Sequence, residues 1–196
     1  MPYDAMSEQD DDSLLAAYAA GDAAAARALT ARLTPGVHAH ALRMQGGDVA
    51  EAEDVAQEAL MKLWRAAPDW RPGEAKVTTW LYRVTANLCI DRLRRRKRAG
   101  PALEAIPEPA DPAPSVAEDL QARDRVAALD AALAQLPDRQ RQAVILRHIE
   151  GLGNPEIAQA MDITPRAVES LTARGKRALQ AMLAGRRAEL GYEDDD

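Results

Sequence analysis

Hydrophobic positions recur at intervals of three and four along nearly the whole chain, and sustained two-residue alternation is missing; the pattern predicts helices and no strands. A first helix should start at Asp12 or Ser13 and run to about Leu33, burying Leu15, Tyr18, Ala25, Leu29 and Leu33. Pro35-Gly36 is expected to break it, with a second helix reaching Gln45 before Gly46-Gly47. A third, from about Val49 to Ala66 under Asp48, puts Ala52, Val55, Ala56, Ala59, Leu60 and Leu63 on one face. Its other side carries Asp54, Gln57, Glu58, Met61 and Arg65, which spacing alone leaves open as a solvated face or a docking stripe. An irregular loop from Pro68 to Gly73 leads to a fourth helix capped by Thr78 or Thr79. Trp80, Leu81, Val84, Leu88 and Leu93 form its core stripe, while Arg83, Asn87, Asp91 and Arg94 project elsewhere.

Residues 100–115 (GPALEAIPEPADPAPS) then carry five prolines and no basic side chain, a composition that predicts a semi-extended linker between two domains. Beyond it, residues 115–136 read as a helix with Leu120, Val126, Leu129 and Leu133 inward. Another begins at Pro137-Asp138, buries Val144, Ile145, Leu146 and Ile149, and ends at Gly151 and Gly153.

Residues 154–179, NPEIAQAMDITPRAVESLTARGKRAL, read as a helix-turn-helix. Asn154 is a good N-cap and Pro155 a favoured first residue, with Ile157, Ala158 and Met161 on one face. Asp162 tolerates the left-handed backbone of a tight turn, and Thr164 can cap a second helix that begins at Pro165. That helix would bury Val168, Leu171 and Leu179 and turn Arg166, Glu169, Ser170, Arg174, Lys176 and Arg177 outward. A short helix followed by a polar, basic one suits the major groove of DNA; a helical hairpin with a solvated charged face is the other reading.

The net charge of −6 argues against a nucleic-acid partner until its distribution is considered. Asp plus Glu against Lys plus Arg number 14 and 14 over residues 1–99, 5 and 0 over 100–120, 8 and 11 over 121–190, and 4 and 0 over 191–196. The acid excess sits in the linker and the tail. Residues 92–98 (RLRRRKR) hold six basic side chains. Phosphate responds to the field within a Debye length of roughly 8–10 Å, not to the total. A basic helix end of this density exceeds what capping requires and resembles a nucleic-acid surface.

Catalytic chemistry is not expected. There is no glycine-rich phosphate loop, GxSxG elbow or HExxH pair, and no nucleophile, base and orienting group can be argued together. His38 and His40 point about 200° apart on a helix of 3.6 residues per turn, which excludes joint chelation. The single cysteine, Cys89, fits a core position in a reducing cytosol. No metal or cofactor is expected, and no apolar run approaches the ~20 residues that span a bilayer. A cytoplasmic protein without membrane insertion is anticipated.

Three segments in order resemble the extracytoplasmic-function sigma factors of the sigma-70 family: AEDVAQEALMKLW (52–64), TTWLYRVTANLCIDRLRRRKR (78–98) and LPDRQRQAVILRHIEGLGNPEIAQAMDITPRAVESLTARGKRAL (136–179). The resemblance implies an all-α chain of two small helical domains joined by the Pro-rich linker. Residues 1–12 would be a disordered acidic N-terminus and 13–99 a sigma region 2-like four-helix domain. Residues 100–115 would be the linker, 116–185 a region 4-like helix-turn-helix domain, and 186–196 an acidic tail. It implies an alternative bacterial sigma factor that binds core RNA polymerase through the β′ clamp helices and β flap. A stress response and control by an anti-sigma factor belong to the same expectation.

By resemblance, Asp54, Gln57, Glu58 and Met61 would dock on polymerase. Lys76, Thr79, Trp80, Arg83, Asn87, Arg94, Arg95 and Arg96 would recognise and melt the −10 element of promoter DNA. Thr164, Arg166, Glu169, Ser170, Arg174 and Arg177 would read the −35 element. The chain departs from the family pattern at Glu169 and Leu171, where many members are basic, at Met161-Asp162, commonly Leu-Gly, and at Ala86, commonly Arg. Glu169 could accept from a cytosine amino group. The alternatives are a stand-alone helix-turn-helix regulator and an adaptor that binds polymerase without DNA.

Overall fold

The computed structural model describes residues 10–99 and 117–184, with side-chain surroundings from residue 124 onward in the second stretch. The expected linker, the acidic tail and the inward placement of Leu120 lie outside the described residues. The chain divides into two compact units, one of residues up to Leu42 with Val49–Arg95, the other of Arg43–Asp48 with everything from Arg96. Among the described residues all regular structure is helical.

The first unit contains α1 (Asp11–Ala19), α2 (Ala23–Met44) up to Leu42, α3 (Val49–Ala66), a single 3-10 turn (Ala67–Asp69) and α4 (Val77–Ala99) up to Arg95. The single helix expected up to Leu33 is two. Gly21 adopts φ +98°, a left-handed conformation open to glycine, and its N–H closes on Tyr18 O. Asp22 then restarts the chain by accepting from Ala24 N at 2.8 Å. The Gly-Asp pair was the overlooked signal. The first helix also begins earlier than expected, with Asp10 as its N-cap accepting from Ser13 N.

Pro35-Gly36, expected to break the chain, lies inside α2. Proline costs a helix about 3 kcal/mol, but Leu29, Leu33 and Val37 around it are buried, each contributing about 1.5–3 kcal/mol. The Thr30 and Thr34 hydroxyls donate to the carbonyls four residues earlier. Gly36 admits Tyr82, whose Oη would lie 3.1 Å from a Cβ there.

Helix α3 buries the six residues expected of it. Helix α4 is rotated from its expected setting. Val77, Leu81, Thr85, Ala86 and Cys89 are buried, while Trp80, Val84, Leu88 and Leu93 are only partly so. It also starts before Thr78, with Trp80 N donating to Lys76 O. Trp70, in the preceding loop, donates from Nε1 to Asp12 Oδ1 at 2.9 Å and meets Trp80 edge to face at 5.9 Å.

The second unit contains α5 (Ala117–Gln135), α6 (Asp138–His148), α7 (Asn154–Met161) and α8 (Pro165–Ala184). Leu133, Leu136, Ile145, Leu146, Ile157 and Val168 are central to its core. Of the core residues expected in α5 and α6, Val126 is 56 % exposed, Ile149, the C-cap of α6, is 36 % exposed, and Leu129 is half-buried. Arg141 is buried instead, donating to Leu133 O, Ala134 O and Leu136 O. Its guanidinium satisfies carbonyls that the end of α5 leaves without helical partners.

The N-cap of α7 is Gly153, not Asn154. The Gly153 N–H donates to the Glu156 carboxylate at 2.8 Å, so a side chain one turn along does the capping. Asp162 takes the anticipated left-handed conformation, φ 52° and ψ 54°. Thr164 caps α8 through its Oγ1, which accepts from Ala167 N. Against the core, Gly175 lets α8 approach α6: a Cβ there would lie 2.5 Å from Val144 Cγ2. Gly175→Ala should therefore destabilise the second unit by about 1–3 kcal/mol, despite a helix-propensity gain of about 1 kcal/mol. Urea unfolding checks this, and Val144→Ala in the same chain should restore most of the loss.

Candidate nucleic-acid interface

Three surfaces carry the residues singled out from sequence. On α3, Asp54, Gln57 and Met61 are exposed, Met61 by 45 %, and Glu58 is half-buried. The four share one side of the helix, opposite the buried stripe. The structure adds Arg92 of α4, which sequence reasoning assigned only to the basic run. Its guanidinium lies 2.9 Å from Glu51, 3.2 Å from Glu58 and 3.6 Å from Asp54. Hydrogen bonding to Glu51, partly opposed by burial, raises the Arg92 pKa above its ordinary value. Glu51, Asp54 and Glu58 recur at three and four residues, so one planar fork can serve all three. Lys62 adds a second cation 3.7 Å from Glu58. The candidate docking acids are thus half-neutralised and held in place from the neighbouring helix.

The second surface is the start and outer side of α4. Lys76, Asn87, Arg94, Arg95 and Arg96 are exposed, Trp80 and Arg83 half-buried. Positions 76, 80, 83 and 87 follow one helical stripe, which brings two cations, an amide and an indole to one side. Thr79 does not belong with them. It is 2 % exposed, and its hydroxyl is turned into the protein without a hydrogen-bond partner among the described residues. Two residues from Val77 and from Leu81, it lies across the helix from them and on the side of Ala86, seven residues on, which is buried as well. The Trp70–Trp80 pair, fixed through Asp12, makes the foot of this surface rigid and aromatic. Such a surface can hold phosphates with its cations and stack an exposed base.

The third surface is α8. Thr164, Arg166, Glu169, Ser170, Arg174 and Arg177 are all exposed. Val168, Gly175 and Leu179 are buried on the opposite side. The Arg174 Nε–H returns to Ser170 O at 3.2 Å, which lays the guanidinium along the helix. Leu171, expected in the core, is half-buried. Asn154, relieved of capping, donates to Glu169 Oε1 at 3.4 Å. Nearby, burial, with Lys176 and Arg147 adding to it, holds the His148 imidazole below its ordinary pKa. The helix therefore presents a cationic face with one fixed carboxylate. No group of metal-ligating side chains occurs among the described residues, nor any helix long and apolar enough to cross a membrane.

Comparison with known proteins agrees with this division. The Sigma-70 region 2 family model matches residues 29–99, and the Sigma-70, region 4 model matches residues 127–179. The ECF RNA polymerase sigma factor SigM of Mycobacterium tuberculosis is 32 % identical over 176 residues, covering 90 % of this chain and 86 % of that protein. SigE of Mycolicibacterium smegmatis is 37 % identical over 142 residues, covering 70 % of this chain but only 54 % of the relative, so the chain spans about half of that protein. Among solved structures, CnrH in complex with the cytosolic domain of CnrY superimposes with a TM-score of 0.65 at 28 % identity, covering 90 % of this chain and 99 % of that one. The chain belongs to the extracytoplasmic-function sigma factors of the sigma-70 family.

Proposed function

We propose that the chain directs promoter-specific initiation by bacterial RNA polymerase, as a cytoplasmic factor without catalytic activity of its own. The observation that carries this reading is the occurrence of two separate cationic helix faces, on α4 and α8, each in its own unit. A third face on α3 carries acids and an exposed methionine in place of cations. Two DNA-reading modules with a distinct protein-binding surface suit a factor that works on a larger enzyme.

In this reading Asp54, Gln57, Glu58 and Met61 meet the β′ clamp helices, with Arg92 holding the acids in register, and the second unit meets the β flap. Lys76, Arg83 and the arginine run grip phosphates while a base of the −10 element is unstacked beside Trp80. Unstacking costs a few kcal/mol and favours easily melted steps, which contributes selectivity. Helix α8 lies in the major groove of the −35 element with Arg166, Ser170, Arg174 and Arg177 toward DNA. Residues 13–99 and 116–185 form the two domains of this scheme, tethered by 100–115. The complex of CnrH with the cytosolic domain of CnrY supports regulation by a protein partner, in this scheme an anti-sigma factor.

Purified chain with core polymerase should initiate at a selective promoter, whereas the chain alone should bind the same DNA weakly. A nanomolar, sequence-specific complex without polymerase would favour a stand-alone regulator. Replacing Arg94, Arg95 and Arg96 by Gln should cut open-complex formation at least about tenfold and lower the salt slope of DNA binding by about 0.9 per lost phosphate contact. Core binding, measured by co-elution, should survive. An adaptor that binds polymerase without DNA would show no such loss.

Arg92→Ala should lower the stability of the first unit by about 1–2 kcal/mol and weaken core binding, by removing the cation that Glu51, Asp54 and Glu58 share. Arg92→Lys should recover less than half of either, because an ammonium cannot fork across three acceptors. Thermal melts and core titrations at low and high salt check both.

A further inference from the structure

The hydrogen bond from Asn154 to Glu169 serves no evident purpose in the framework. Glu156 already caps α7, through the Gly153 N–H, so the Asn154 amide is not spent there. Asn154 opens α7, Glu169 lies in the second turn of α8, and the bond between them spans the two helices of the helix-turn-helix at 3.4 Å. Glu169 is exposed among Arg166, Arg174 and Arg177, the cations of the face turned to DNA. A carboxylate on that face repels phosphate, so its presence needs a partner that phosphate cannot supply.

The major groove offers a carboxylate few such partners. Guanine presents the acceptors O6 and N7, and thymine the acceptor O4 with a methyl group; both reject it. Adenine offers an N6 donor, but its N7 acceptor lies alongside and repels the second oxygen. Cytosine offers the N4 donor without a neighbouring acceptor on its own edge. With Oε1 engaged by Asn154, Oε2 is the oxygen left to face the groove, and the carboxylate loses the rotamer freedom that would blur its choice.

We propose that Asn154 and Glu169 form a specificity pair that selects cytosine at one position of the −35 element. Glu169 accepts from the cytosine amino group, and Asn154 is a positioning residue that holds the carboxylate for it. The pair rests on the reading of α8 given under Proposed function. Arg166, Ser170, Arg174 and Arg177 set the grip on the duplex, while the Glu169 carboxylate sets the choice at one base.

The test uses the full chain assembled with core RNA polymerase and a pool of promoters randomised across the −35 element, with sequencing of the transcribed templates. The wild-type chain should enrich cytosine over thymine about tenfold at one position, the order expected of a single base contact. Glu169→Gln should abolish the cytosine preference and favour bases that present acceptors, because with Oε1 held by Asn154 the group left to face the groove is the Nε2 donor. Asn154→Ala should flatten the cytosine preference by about threefold while the other positions and the melting temperature stay as in the wild type. A purely structural role for Asn154 would lower all positions together or lower the melting temperature, and overturns the pair. So does a wild-type profile without the enriched cytosine, or a profile unchanged in both variants while transcription continues. Absence of selective transcription by the wild-type chain overturns the sigma-factor reading beneath it, and is told apart by the silence of every template.

Discussion

The rotation of each helix about its own axis is the constraint on which the surfaces of this protein depend. A helix buries about one side, and the side it buries decides which charges meet solvent. In α8 that rotation is set at Gly175, where the absence of a Cβ lets the backbone approach Val144 of α6. Val168 and Leu179 lie on the same side and complete the contact. Arg166, Ser170, Arg174 and Arg177 consequently emerge together on the other side. A turn of a few tens of degrees would divide them between groove and core. In α4 the same logic gives a different outcome from the one read in the sequence. Its buried side runs from Val77, Leu81, Thr85 and Cys89 round to Ala86 and Thr79, which leaves Trp80 at the rim.

Charge follows from this geometry more than from composition. The net charge of −6 describes a chain whose acids outnumber its bases in residues 1–12, 100–120 and 191–196, with a further acidic patch on α3. On α3, Glu51, Asp54 and Glu58 share Arg92, so even that patch is partly neutralised in the folded protein. Cations on α4 and α8 face solvent, some with an acid beside them: Arg94 by Asp91, Arg96 by Asp48, Lys97 by Asp138, and the α8 arginines by Glu169. Because screening confines each field to about 8–10 Å, these faces act as basic surfaces regardless of the total.

Much of this was legible in the sequence where one signal acted alone. Three-and-four periodicity located α3 to the residue, since its core positions are unambiguous aliphatics and its ends carry no competing signal. The turn before α8 was legible because Asp162, Thr164 and Pro165 each have one physical reason to be there. Where signals competed, reading failed. Pro35 announced a break that buried neighbours on both sides overrode, and Gly21-Asp22 announced one that the apolar period concealed. Trp80 drew the core stripe of α4 toward itself by its size, although an indole packed edge to face against Trp70 can remain half-buried. Long-range pairings left no trace in local pattern at all. Arg92 with α3, Arg141 with the end of α5, and Trp70 with Asp12 join residues whose partners only the fold identifies. The candidate DNA faces were therefore visible as compositions before they were visible as surfaces.

Stiffness at the foot of α4 has a consequence for any base that is unstacked there. A base leaving the duplex forfeits a few kcal/mol, and a receiving surface that must first order itself adds its own entropy to that cost. Trp70 and Trp80 are already in contact, and Asp12 anchors the Trp70 indole from α1, at the far end of the unit's sequence. Ordering is thus completed during folding, where burial of Leu14 and Leu15 on α1 drives it. Removing the Asp12 carboxylate would leave the core intact and loosen only the aromatic platform. Helix α1, which bears none of the candidate DNA contacts, is in this way coupled to the surface that receives the base. The coupling is mechanical: the same side of α1 that closes the hydrophobic core also presents the acceptor that immobilises the loop.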